Sequence, residues 1–257
     1  MTPPRILTIA GSDSSGGAGI QADLKTITLL GGYGMSAITA LTAQNTTGVQ
    51  GVEVVPAPFV AAQIASCLDD IGADAVKIGM LGSPAIAHAV ADRLEGSGLP
   101  VVFDPVMVAT TGAALADPAT VEAFERLMLL ATLTTPNVPE LAALGGAAGM
   151  AARGIVYLAK GGDAPGVIVE DRLVRPGQPD CIWQDSRIET RHTHGTGCTL
   201  ASAIATLLGG GLALAEAVSQ ARIFVRDGLL AAPGLGRGNG PLGLFAGATP
   251  AAAAPSD

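Results

Sequence analysis

The chain has 257 residues, 49% of them hydrophobic and only 14% charged, which excludes a disordered or coiled-coil protein and is enough to bury a large core. Its net charge of −8 repels phosphate backbones, so nucleic acid is not an expected partner, although a local nest of backbone N–H groups can still hold a small anion. The 3 cysteines, Cys67, Cys181 and Cys198, are odd in number and widely spaced, as in reduced thiols of a cytoplasmic protein.

Strand-like and helix-like segments alternate along the chain, the pattern of a parallel sheet with crossover helices. The first residues lack the basic start and long apolar run of a secretory leader, so none is expected. Residues 5–10 (RILTIA) read as a strand, followed by a polar glycine turn and a helix over 20–30. A strand is expected at 52–55, a helix at 58–71, a strand at 75–78 and a helix at 85–94. The strand at 101–103 ends on Asp104-Pro105, a helix spans 121–130, and Leu133-Thr134 leads into Pro136-Asn137. A strand at 154–159 ends in Lys160, a hairpin is expected around Asp171, and helices cover 199–208 and 214–230. The uncharged run 198–215 approaches the length of a membrane span, but Gly209-Gly210-Gly211 interrupts it. It reads as a buried helix and a turn, with no membrane involved. A single domain over 1–245 is expected, followed by a low-complexity, disordered tail at 246–257.

Asp13, Asp104, Asn137 and Lys160 each fall just past a predicted strand end. Ligands of open parallel sheets bind outside the carboxyl ends of the strands, so these four residues are expected to line one crevice. The most informative segment is 193–199, Thr-His-Gly-Thr-Gly-Cys-Thr, immediately before an Ala-rich helix. Gly195 and Gly197 permit backbone geometry that aims successive N–H groups, Thr196 included, at an anion, with the helix dipole adding to the attraction. Phosphoryl transfer needs such a cradle, because its catalysis is mostly positioning and charge stabilisation. Cys198 at the helix start is expected to have a lowered pKa. Taken alone, the segment also fits a plain glycine-containing helix start with a cysteine of the core.

The turn at 11–23 matches neither the dinucleotide nor the P-loop glycine spacing, yet it can bring backbone close to a small substrate, with Asp13 and Asp23 as polar anchors. A turn with a capping Asp explains it equally well. Asp104, Asn137 and Glu140 offer oxygen ligands of the kind Mg²⁺ takes, while Asn137 and Glu140 also fit a helix capping box. Lys160, followed by two glycines, is placed to reach a phosphate or to lie on the surface. His88 and His192 have no metal-like spacing and receive no role.

Seven stretches together resemble the bacterial hydroxymethylpyrimidine/phosphomethylpyrimidine kinases of the ribokinase-like superfamily. They are residues 7–26, 38–50, 76–81 (VKIGML), 104–107 (DPVM), 135–140 (TPNVPE), 160–162 (KGG) and 193–198 (THGTGC). The resemblance implies a three-layer α/β/α fold with a mostly parallel sheet, and two successive ATP-dependent phosphorylations of a hydroxymethyl pyrimidine in thiamine biosynthesis. It implies Gly11, Asp23 and Gln44 as pyrimidine contacts, with Met80 and Val106 as apolar walls. It places Cys198, where most of the superfamily has a catalytic Asp, at the mouth of an anion hole formed by Gly195, Thr196, Gly197 and Cys198. There Cys198 accepts the hydroxymethyl proton or positions that hydroxyl. Mg·ATP is implied near Asp104, Asn137, Glu140, Lys160 and Thr196, with Asp104 and Glu140 on the metal, and the protein is expected to be a homodimer. Between Glu140 and Lys160 the chain is shorter than the resemblance implies, with little room for a helix pair. That feature favours a non-catalytic pyrimidine-binding relative, and a pyridoxal kinase is the other alternative.

Overall fold

A computed structural model describes residues 2–109 and 112–244; the expected disordered tail lies outside them. Nine strands form one sheet in the order β3-β2-β1-β4-β5-β6-β7-β8-β9. They are β1 (Arg5–Asp13), β2 (Tyr33–Asn45), β3 (Gly48–Val54), β4 (Ala75–Ile78), β5 (Val101–Phe103), β6 (Leu133–Thr134), β7 (Tyr157–Ala159), β8 (Ile168–Val174) and β9 (Cys181–Ser186). The run from β2 to β7 is parallel, and antiparallel strands extend it at both ends. The helices are α1 (Gly19–Leu29), α2 (Ala57–Asp70), α3 (Pro84–Leu94), α4 (Pro118–Leu130), α5 (Val138–Ala143), α6 (Gly146–Ala152), α7 (Thr196–Gly209) and α8 (Leu214–Leu230).

Strand alternation divides the core between the two faces of the sheet. Leu7, Ile9, Val76, Ile78 and Phe103 point to one face, where α2, α3 and α4 pack on them through Ile64, Val90 and Phe124. Ile6, Ala75 and Val102 point to the other, against α1, α7 and α8. The small residues of α7, Ala201, Ala203 and Ala205, are fully buried there and let this helix lie close to the sheet. This is the expected three-layer α/β/α architecture. Ser83 and Asp117 cap α3 and α4 by accepting from the backbone N–H groups of Ile86 and Thr120, each with Pro at the first helical position.

Three expectations about elements change. Strand β2 carries no assignment in the sequence reading, because its Gly, Ser, Ala and Thr residues give weak alternation. No hairpin turns at Asp171: β8 runs straight through it, and β9 follows after residue 180. The segment before β7 does hold two helices, because α5, which contains Glu140, and α6 are only 6 and 7 residues long. Leu144 and Met150 anchor them in the core, and the Arg153 guanidinium donates to the carbonyls of Gly149 and Leu144.

Candidate active site

The carboxyl ends of β1, β2, β4, β5, β6 and β7 open on one cavity of about 610 Å³. Asp13, Asp104, Asn137 and Lys160 all line it, as the strand-end argument requires, together with Gly11, Gln44, Met80, Val106, Glu140, Gly195, Thr196, Gly197 and Cys198.

Two glycine turns meet at its floor. Gly195 is the N-cap of α7 with φ +84°, and a Cβ there would stand 1.9 Å from the carbonyl oxygen of Gly17. A Cβ on Gly17 would in turn stand 2.4 Å from the His194 ring. The turn before α1 and the turn before α7 are therefore in backbone contact, although some 180 residues separate them. Gly197 does not have a left-handed φ; its glycine serves proximity, since a Cβ would lie 3.3 Å from Asp104 Oδ2 and 3.4 Å from Lys160 Nζ. The N–H groups of Gly197 and Cys198, in the first turn of α7, have no partner within the helix, whereas that of Thr196 donates to the carbonyl of Thr193 at 3.2 Å.

Lys160 Nζ lies 2.7 Å from Asp104 Oδ1 and 3.8 Å from Glu140 Oε2. Burial disfavours its ammonium, but Asp104 and Glu140 outweigh burial and hold the group above its ordinary value. Glu140 is pushed up to about 7, mainly by burial and further by the Asp104 charge, against Lys160 and backbone N–H donors. Asn137 and Glu140 do form the capping box, each side chain accepting from the other's backbone N–H at 2.9 and 2.8 Å. The turn that presents Lys160 is tied down as well. The Gly161 N–H donates to Asp171 Oδ1 at 2.9 Å, and Arg222 Nε of α8 donates to Asp171 Oδ2 at 2.7 Å.

Cys198 is half-buried at the cavity. Its thiol is not lowered as a helix start suggests. Burial pushes it up to about 11, with Asp23 and Asp104 adding to the shift and the Lys77 ammonium and a Gly19 N–H opposing it.

A profile of the phosphomethylpyrimidine kinase family matches residues 13–243. The chain belongs to this family. The hydroxymethylpyrimidine/phosphomethylpyrimidine kinase of Streptomyces coelicolor is 45% identical over 94% of this chain and 94% of its own. The crystal structure of phosphomethylpyrimidine kinase from Clostridium difficile 630 superposes with a TM-score of 0.74 at 38% identity, over 87% of this chain and 98% of its own. An ADP complex of Bacillus subtilis pyridoxal kinase gives a TM-score of 0.83 at 33% identity, over 94% and 97%.

Of the residues expected to contact the pyrimidine, one stands off the cavity. Asp23 is completely buried beneath the floor and is absent from the cavity wall. Its carboxylate accepts from Thr8 Oγ1, Ser202 Oγ and Lys77 Nζ, at 2.6, 2.7 and 2.8 Å, and Lys77 is likewise fully buried. Both oxygens of Asp23 are engaged beneath the cavity, so the residue holds β1, β4, α1 and α7 together under the site. Lys77 escaped the sequence reading, although a lysine inside an otherwise apolar four-residue strand was the available signal. Removing one member of a buried pair leaves an uncompensated charge. Lys77→Met is therefore expected to lower unfolding stability by about 3 kcal/mol in urea denaturation. The double change Asp23→Asn with Lys77→Met is expected to recover part of the loss.

The kinase family implies a divalent ion. Among the described residues no cluster of three or more His, Cys, Asp or Glu could hold a metal. Two buried carboxylates, Asp104 and Glu140, share a single ammonium, and their mutual repulsion raises Glu140. This local excess of negative charge and its oxygen donors fit Mg²⁺, which usually takes only one or two carboxylates beside phosphate oxygens and water. No helix among the described residues is long and apolar enough to cross a membrane.

Proposed function

We propose that this chain transfers the terminal phosphoryl group of ATP to the hydroxymethyl oxygen of 4-amino-5-hydroxymethyl-2-methylpyrimidine. It then phosphorylates the monophosphate to the diphosphate, in thiamine biosynthesis. The observation that carries this reading is one cavity in which Gln44, Met80 and Val106 stand on the same floor as Cys198 and the start of α7. Gln44 suits an aminopyrimidine edge because an amide both donates and accepts, while Met80 and Val106 supply apolar walls and Gly11 permits close backbone approach.

The hydroxymethyl oxygen attacks the terminal phosphorus, the bond to the bridging oxygen breaks, and ADP leaves. Cys198 takes the hydroxymethyl proton as its thiolate. In the anion hole formed by Gly195, Thr196, Gly197 and Cys198, N–H groups stabilise the equatorial oxygens, where preorganised donors are worth most because charge is spread there in the transition state; the Thr196 N–H must leave the Thr193 carbonyl to take part. Lys160 neutralises a phosphate oxygen, and Asn137 and Thr196 flank the nucleotide's phosphate end. Asp104 and Glu140 would hold Mg²⁺, which supplies neutralisation of the bridging phosphate charge. The largely exposed edge strand β3, with Leu41, Val52, Val54 and Phe59 exposed on or near it, supports a homodimer, and the free thiols a cytoplasmic setting.

Pyridoxal kinases share the fold, which makes pyridoxal the competing acceptor. A coupled ATPase assay with the hydroxymethyl pyrimidine, its monophosphate and pyridoxal tests the reading. Turnover of both pyrimidines, with a kcat/KM above that for pyridoxal, is expected. Preference for pyridoxal overturns the substrate, and retained pyrimidine binding without turnover would make the chain a binder.

A further inference from the structure

His194 is 2% exposed, and its Nε2 lies 2.8 Å from Asp13 Oδ2 and 3.2 Å from the Gln44 side-chain nitrogen Nε2. Asp13 also accepts from the backbone N–H groups of Ser15, Gly17 and Ala18 and from Ser15 Oγ. Burial raises its carboxyl, but hydrogen bonds from His194 and Ser15 outweigh that and leave it below its ordinary value. Asp13 is thus an ionised acceptor, and the imidazole nitrogen facing it must carry the hydrogen. The other ring nitrogen, Nδ1, is buried with no partner. A bare lone pair at Nδ1 costs less than a stranded N–H there together with a lone pair aimed at a carboxylate.

This tautomer has a consequence for Gln44. A protonated ring nitrogen has no in-plane lone pair to accept from an amide N–H, so the Gln44 amide belongs turned end for end, its oxygen sharing with Asp13 the one N–H that the ring offers. The main chain of Gln44 is fixed independently, since its N–H donates to Ser14 Oγ and its carbonyl accepts from that same hydroxyl, both at 2.9 Å. With backbone and amide oxygen both held, the NH₂ group is turned toward the cavity.

We infer that His194, with its tautomer set by Asp13, is a positioning residue that fixes the Gln44 amide so that its NH₂ reads an unprotonated ring nitrogen of the acceptor substrate. The inference rests on reading Gln44 as the pyrimidine contact. It makes the site selective for a ring acceptor at one position: a C–H or N–H⁺ there leaves a donor facing no acceptor.

A double-mutant cycle on steady-state kinetics tests it. His194→Ala is expected to raise the KM for the hydroxymethyl pyrimidine about tenfold, the scale of one neutral hydrogen bond, with kcat and the KM for ATP within about twofold. His194→Gln, which can present an N–H at the same place, is expected to restore most of that affinity. In a Gln44→Ala background, itself raised about tenfold or more, His194→Ala is expected to add nothing. Should His194→Ala not fold, His194→Phe, which keeps the ring's bulk without its N–H, is expected to give the same pyrimidine-only shift. Additive losses in the cycle, or an equal rise in the KM for ATP, overturn the role of His194 and leave the Gln44 contact standing. An unchanged pyrimidine KM in Gln44→Ala sinks both.

Discussion

Cys198→Ala is expected to lower kcat by about 10²–10⁴, the range of a single general base, while the KM for the pyrimidine changes by less than about threefold. The elevated thiol adds a pH signature. With a pKa of about 11, only about one thiol in ten thousand is thiolate at pH 7, and that fraction grows tenfold for each pH unit. Log kcat is therefore expected to rise with a slope near one between pH 7 and 9. Cys198→Asp, whose carboxylate is already ionised, is expected to stay active with a flat profile over the same interval. A flat profile in the parent enzyme, together with a large loss in Cys198→Ala, would reassign the sulfur from proton acceptor to a group that only orients the hydroxyl.

Gly195→Ala is expected to abolish turnover, with kcat reduced by more than about 10³ and both substrates affected. The added carbon would meet the Gly17 carbonyl oxygen at 1.9 Å, in a left-handed conformation that costs an alanine about 1–3 kcal/mol before any clash. Relief requires the two turns to part, which removes N–H donors from the phosphoryl position, each worth about 10²–10³ in kcat. Gly197→Ala is the graded comparison. Its Cβ would meet side-chain atoms of Asp104 and Lys160 at 3.3–3.4 Å, which can shift, so a loss of about 10–30-fold is expected. Circular dichroism and single-substrate titrations separate lost folding from lost catalysis; native-like activity in Gly195→Ala would remove the shared floor from the mechanism.

The site is legible in the sequence because its place depends on topology alone: any polar residue closing a parallel strand must face the same edge. Asp104, Asn137 and Lys160 were legible for that reason. Asp23 was misplaced because sequence shows that a carboxylate lies near the first turn, whereas only packing shows that Lys77 and Ser202 claim both of its oxygens. The Cys198 thiol was misjudged in the same way: the helix start is visible in sequence, and the competing burial and carboxylates are not. Strand β2 escaped because its alternation is carried by alanine, glycine and threonine, whose contrast between buried and exposed positions is small. The pairings of Asp13 with His194 and of Asp171 with Arg222 link residues 181 and 51 positions apart, and no local pattern announces them.

The contact of main chain on main chain between residues 17 and 195 has an evolutionary reading. It presses the turn that ends β1 onto the turn that opens α7 with no side chain at either residue 17 or residue 195. Side chains elsewhere in the wall can therefore drift while the two turns keep their spacing. A lineage built this way can exchange one vitamin precursor for another by altering a few wall residues, without rebuilding its transfer machinery.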